Sequence, residues 1–196
     1  MPAEPNSQIR GFHLDAALAR VMPLFTARGE REWAPGWDPT LLSGAERRGS
    51  AFETVDHEGR KTTWIVVDYR PFEGRVSYAR LAQGSNIGLV DVVCTEPAAG
   101  GTDVSVAYTL TPLCKEAEAL VSHFLSPEMY TRMIEEWRVA TSAVLARSMR
   151  QPDSMRQLER RALDLAGEIP GANQGKNEHG HEGGEYPERG SLCGCD

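Results

Sequence analysis

The chain has 196 residues, 28 of them acidic and 21 basic, for a formal net charge of −7 at pH 7. That acidic balance argues against nucleic acid or an anionic membrane as the main partner, while 40% apolar and 25% charged residues match an average soluble domain. No apolar run approaches the ~18 residues of a membrane span and Met1-Pro2-Ala3-Glu4 opens no secretory signal, so the expectation is a cytoplasmic protein of one domain with an appendage.

The first element is a strand, Gln8 to Leu14. Asp15 then offers a carboxylate to the orphan amides of a helix start, and Leu14, Leu18, Val21, Met22 and Phe25 recur at helical spacing. A second short helical piece, Glu30 to Trp33, is broken by Pro35-Gly36. From residue 50 the texture turns to β. The runs Ser50–Val55, Lys61–Tyr69, Gly74–Ala82, Asn86–Glu96 and Gly101–Thr111 are rich in Val, Ile, Thr and aromatics. Turn chemistry such as Asp56-His57-Glu58-Gly59 and Gly84-Ser85-Asn86 bounds them, and such short connections join antiparallel neighbours in a meander. In the last run Val104, Val106, Tyr108 and Leu110 share one face, with Asp103, Ser105 and Thr109 opposite.

A long helical segment follows over 115–149. Ala117, Leu120, Val121, Phe124 and Leu125 form one apolar stripe, and Tyr130, Met133, Ile134, Trp137, Ala140, Val144 and Leu145 form another. Ser126-Pro127-Glu128 between them predicts a kink or a restart. Beyond Pro152, Ser154 and Gln157 form a capping box for a small amphipathic helix ending at Ala166. Residues 167–196 hold eight glycines, two prolines and six acids against two bases, a composition that predicts a disordered tail.

Cys94 and Cys114 fall in apolar segments, where a thiol behaves as a small hydrophobe. His13, His57 and His123 converge in no recognisable pattern, and no nucleophile elbow, phosphate-cradling loop or helical zinc motif is present. The tail differs. His179-Gly180-His181 and Cys193-Gly194-Cys195 gather two imidazoles and two thiols, a candidate set for zinc or copper. Exposed thiols, or a labile disulfide between them, are the alternative. The folded part itself calls for no cofactor.

A wide apolar helix laid across a strongly bent antiparallel sheet is an α+β architecture that leaves a gap beneath the helix, where small molecules are commonly held. Four stretches carry a resemblance: Pro23-Leu24-Phe25-Thr26 with Gly29 to Pro39, Thr62 to Tyr69, Tyr108 to Leu113, and Tyr130 with Met133 to Trp137. Together they resemble the bacterial SRPBCC (START-like, helix-grip) proteins over roughly residues 8–150. The resemblance implies a curved antiparallel sheet wrapped around a long C-terminal helix, in the order β-α-α, six strands, α, with a deep hydrophobic cavity. Members carry polyketide cyclase/dehydrase or lipid-transport labels, so fold alone leaves function open. The resulting division is a helix-grip domain over 8–150, a short helix over 152–166 and the tail over 167–196.

The candidate lining of that cavity is Trp33, Trp37, Trp64, Tyr78, Tyr108, Phe124, Met133 and Trp137, with ordinary core packing as the alternative for each. Arg80 shares a strand face with Val76 and Tyr78. If that face points inward, the guanidinium needs an anion: a ligand carboxylate, or a protein carboxylate at the sheet's end. A bulge turning it outward is the third option. Glu30 and Asp38 flank the Trp-Pro-Gly-Trp loop as candidate proton-transfer groups or simple caps. The leading expectation is binding or carriage of a small hydrophobic ligand. The alternatives are a polyketide cyclase/dehydratase-type enzyme using Glu30, Asp38, Tyr78 or Arg80, and a metal- or redox-related accessory role for the tail. Helix 154–166 has two docking options, its own body or a second copy of the chain, so a homo-oligomer stays open.

Overall fold

The β-branched runs pair into one seven-stranded sheet, described by a computed structural model for residues 4–44 and 46–150. The strands are β1 (Asn6–Leu14), β2 (Thr40–Leu41), β3 (Ala51–Val55), β4 (Lys61–Arg70), β5 (Arg75–Ala82), β6 (Asn86–Thr95) and β7 (Thr102–Pro112). Their spatial order is β1-β7-β6-β5-β4-β3-β2, every neighbour antiparallel. From β2 to β7 this is the expected meander, and β1 returns to the far edge beside β7. The two-residue β2 has too little chain to show a period in sequence. A register shift between Val66 and Asp68 leaves Val67 as a bulge in the β4–β5 pairing, a device that bends a sheet.

Alternation along β7 is strict: Val104, Val106, Tyr108 and Leu110 are buried while the residues between them are not. The same face carries Val76 and Tyr78 of β5 and Val90, Val92 and Cys94 of β6. Across this concave face runs the C-terminal helical segment, split as Ser126-Pro127 foretold into α2 (Lys115–Phe124) and α3 (Pro127–Arg150). Tyr130, Ile134, Thr141, Val144 and Leu145 of α3 are buried against the sheet. The Tyr130 hydroxyl donates to the Val106 carbonyl at 3.0 Å, and Thr141 Oγ1 donates to the carbonyl of Trp137 at 2.7 Å. At the start of β7, Thr102 Oγ1 donates to the Ala16 carbonyl at 2.6 Å and ties the sheet to the chain entering the first helix.

Between β1 and β2 the chain departs from the expected pair of helices. Only Leu18–Val21 is α-helical (α1), and 3-10 turns follow at Met22–Phe25 and Gly29–Glu32. Pro23 explains the first change, because it brings no amide to continue an α-helical ladder. Asp15 is not the cap. The Leu18 amide is instead satisfied by Glu96 Oε1, at 3.0 Å, from the far end of β6. No helix among the described residues is long and apolar enough to cross a membrane. The helix expected over 152–166 and the tail ligands His179, His181, Cys193 and Cys195 lie outside the described residues. Among the described residues no group of His, Cys, Asp or Glu could hold a metal ion.

Candidate functional site

The chain between α1 and β2 forms the roof of the site, and backbone bonding explains how it is held. Without a continuous helix, its carbonyls need other donors. Aromatic side chains supply them: Trp33 Nε1 donates to the Leu24 carbonyl at 2.7 Å, Tyr78 Oη to Phe25 at 2.9 Å, and Trp37 Nε1 to Ala27 at 2.8 Å. Thr26 Oγ1 accepts from the Gly29 amide at 3.0 Å and so starts the turn that carries Glu30. Gly29 is required there, because a Cβ would fall 1.8 Å from the Pro23 carbonyl oxygen.

Beneath this roof the rings form a connected cluster. Phe52 and Trp64 stack with centroids 5.7 Å apart, and Trp37 meets the Trp64 ring edge-on at 5.5 Å. Trp33 meets Trp137 at 4.9 Å, and Tyr108 meets Phe124 at 5.4 Å. The space they enclose has shrunk to about 10 Å³, lined by Glu30, Trp37, Phe52, Trp64, Tyr78, Val90, Val92, Tyr108 and Trp137. That is about room for one water molecule. The deep cavity implied by the resemblance is therefore closed, and the physical reason is aromatic volume: Trp37 from the roof and Trp137 from α3 descend onto Trp64 and Tyr108. A larger open groove of about 430 Å³, beside Phe12, His13, Asp103 and Val104, contains none of the candidate residues.

Of the expected lining, Trp37, Trp64, Tyr78, Tyr108 and Trp137 meet at this space. Trp33 lies behind Trp137, Phe124 packs on the outer side of Tyr108, and Met133 packs against the core without reaching it. Phe52, Val90 and Val92 were not anticipated, although their strand periodicity placed them on the inward face.

The two acids of the Trp-Pro-Gly-Trp loop part company. Asp38 is exposed and ion-paired to Arg31 at 2.8 Å, which removes it from the site. Glu30 lines the space, and burial, assisted by the nearby Glu46 carboxylate, pushes its pKa up to about 8. That shift favours the carboxylic acid over the carboxylate near neutral pH. Burial also raises the Tyr78 hydroxyl well above its ordinary value, with the Glu30 charge adding to the shift.

Arg80 resolves in favour of the inward option. It pairs with Trp64 across β4–β5 and with Gly88 across β5–β6, and its guanidinium lies 5.1 Å over the Trp64 ring. Its Nε is buried without a hydrogen-bond partner, and burial lowers its pKa. Neither a salt bridge at the sheet's end nor an outward-turning bulge is observed, since the bulge falls on β4 at Val67.

Several solved structures share this arrangement. An uncharacterized protein from Rhizobium leguminosarum superposes with a TM-score of 0.57 at 21% identity, over 74% of this chain and 97% of that one. Norcoclaurine synthase from Thalictrum flavum, in complex with dopamine and hydroxybenzaldehyde, gives 0.56 at 8% identity over 74% and 89%. Ara h 8.0201 gives 0.55 at 11% identity over 76% and 100%. No family model matches the chain, and no curated protein does. Strand order, the long helix across the concave face and these superpositions together give the chain the helix-grip fold, a curved antiparallel sheet around a long C-terminal helix.

Proposed function

We propose that the chain binds a small planar hydrophobic ligand on the concave face of its sheet, admitted where Trp37 now meets Trp64. The observation that carries this reading is the make-up of the closed space: six aromatic rings with Val90 and Val92 and one acid of raised pKa line it, and one cation lies over the Trp64 ring that borders it. A core built for stability alone has no use for Arg80, whose Nε is buried without a partner, or for an acid held beside the rings, since each costs free energy. Flat ligands replace ring–ring contacts with equivalent ones, and each Å² of apolar ligand area buried contributes about 25 cal/mol. The fold is compatible with such cargo, as the Thalictrum enzyme holds two small aromatic molecules.

The test is a thermal-shift and tryptophan-fluorescence screen against naphthols, indoles and hydroxybenzaldehydes. A bound compound raises the denaturation midpoint by mass action and changes the emission of Trp37 and Trp64. If no compound at millimolar concentration moves either signal, the reading is wrong.

A second reading, proton-transfer chemistry of the cyclase/dehydratase kind, draws support from Glu30. A carboxyl whose pKa is about 8 can give and retake a proton near neutrality, and the Tyr78 ring lines the same space. Deuterium exchange at the α-carbon of phenylacetaldehyde, followed by NMR and lost in Glu30→Gln, is the expected signature. Exchange no faster than in buffer removes the enzyme reading and leaves binding intact.

A further inference from the structure

Two buried side-chain polar atoms among the described residues have no hydrogen-bond partner: Arg80 Nε and Asn86 Oδ1. Both belong to one corner of the concave face. Arg80 of β5 pairs with Gly88 of β6, and Asn86 stands two residues before that glycine on the same side of the strand. Gly88 places no side chain of its own between them, and a δ-methyl of Leu110 from β7 closes over its Cα. The glycine can carry none, because a Cβ there would fall 1.9 Å from the Thr109 carbonyl oxygen. Asn86 spends its amide nitrogen on Ser85 Oγ at 2.9 Å, which leaves the oxygen as the free end.

An orphan cation beside an orphan acceptor is an unusual thing for a folded protein to keep, because most buried polar groups are satisfied. The Trp64 ring offers the guanidinium a partial substitute for an anion. It offers Asn86 nothing.

We infer that Arg80 and Asn86 are the polar end of the aromatic site, and that its ligand is an aromatic carboxylate bearing an adjacent hydroxyl or N–H. The carboxylate takes the Arg80 guanidinium, and the neighbouring donor takes Asn86 Oδ1. This rests on the reading that a planar hydrophobic ligand binds between the rings, and it names the class of that ligand. The lowered Arg80 pKa agrees with a cation short of counter-charge.

Calorimetric titration with 3-hydroxy-2-naphthoate and with neutral 2-naphthol tests it on the full chain. The acid binds the wild-type protein about tenfold or more tightly than 2-naphthol, a charge-assisted contact made in a dry site. In Arg80→Met that advantage falls below about twofold. Asn86→Asp sets a carboxylate beside an untouched Arg80 and abolishes the advantage in the same way, so the test survives if Arg80→Met fails to fold. The ligand-free melting temperature of Arg80→Met equals or exceeds that of wild type, because no partner is left behind. Equal affinities in the wild type, or an acid preference that survives both substitutions, overturns the Arg80 assignment alone. If neither compound binds, the planar-ligand reading falls with it.

Discussion

The concave face has two ends that follow different rules. Where α3 crosses β1 and β7, the buried residues are aliphatic or fully partnered: Val104 and Val106 fill the sheet, Tyr130 bonds the Val106 carbonyl, and Thr102 bonds Ala16. Where the roof meets β4 and β5, the rings enclose Glu30 with a carboxyl forced toward neutrality and Arg80 with a buried nitrogen unbonded. The same sheet supports both. The first end holds the fold together, and the second retains polar groups at a cost that stability does not repay. That contrast, more than any single residue, marks the second end as the candidate site.

The largest effect that separates the two ends is expected at Tyr130. Tyr130→Ala empties a fully buried site and costs about 3–5 kcal/mol, read from urea unfolding. A loss below about 1 kcal/mol, smaller than a well-packed ring commands, would show the first end to be no better packed than the second. Glu30→Gln should act in the opposite direction. The raised pKa means that the folded chain keeps a proton the unfolded chain releases, so the stability tied to Glu30 is complete below pH 4.5 and disappears as pH climbs to about 8. The glutamine variant loses this decline and is the more stable protein at pH 9, by an amount on the order of a few kcal/mol. Parallel pH profiles for the two proteins would place Glu30 in water and break the comparison.

Thr102→Val sharpens it at a finer scale. The Ala16 carbonyl is left without its donor, for a loss of about 1–3 kcal/mol in the same unfolding measurement. A neutral outcome would mean that satisfied hydrogen bonds contribute little at that end. The smallest effect concerns His13, exposed at the rim of β1. Its hydrogen bond to Asp103 at 2.7 Å raises its pKa above 6.5, so its contribution is present below that pH and fades above the shifted value. An NMR titration midpoint that falls toward 6.5 in Asp103→Asn, with Asp15 still holding it above, checks the cause.

Strands, their turns and the helix break at Ser126-Pro127 were legible in the sequence, because period-two burial and proline chemistry act over a few residues. The inward face of β5 was legible for the same reason, and with it the question that Arg80 poses. The roof was not. Its carbonyls are bonded by rings distant along the chain, Phe25 by Tyr78 above all, and no local pattern announces a 3-10 turn supported from another element. Glu30 and Asp38 look alike as neighbours of one loop, yet one is buried and the other is paired with Arg31 in solvent. Spacing could not separate them. The deep cavity failed for a different reason: a fold's hollow belongs to its backbone, and large side chains decide whether it stays empty.

The roof's dependence on indole and phenol donors has a kinetic consequence. A swing of the Trp37 side chain alone away from Trp64 also releases the Ala27 carbonyl, so that opening breaks a hydrogen bond as well as a ring contact. For a ligand admitted by the proposed route, encounter is then not the slow event. The observed association rate should level off as ligand concentration increases, at the frequency with which this one tryptophan lets go.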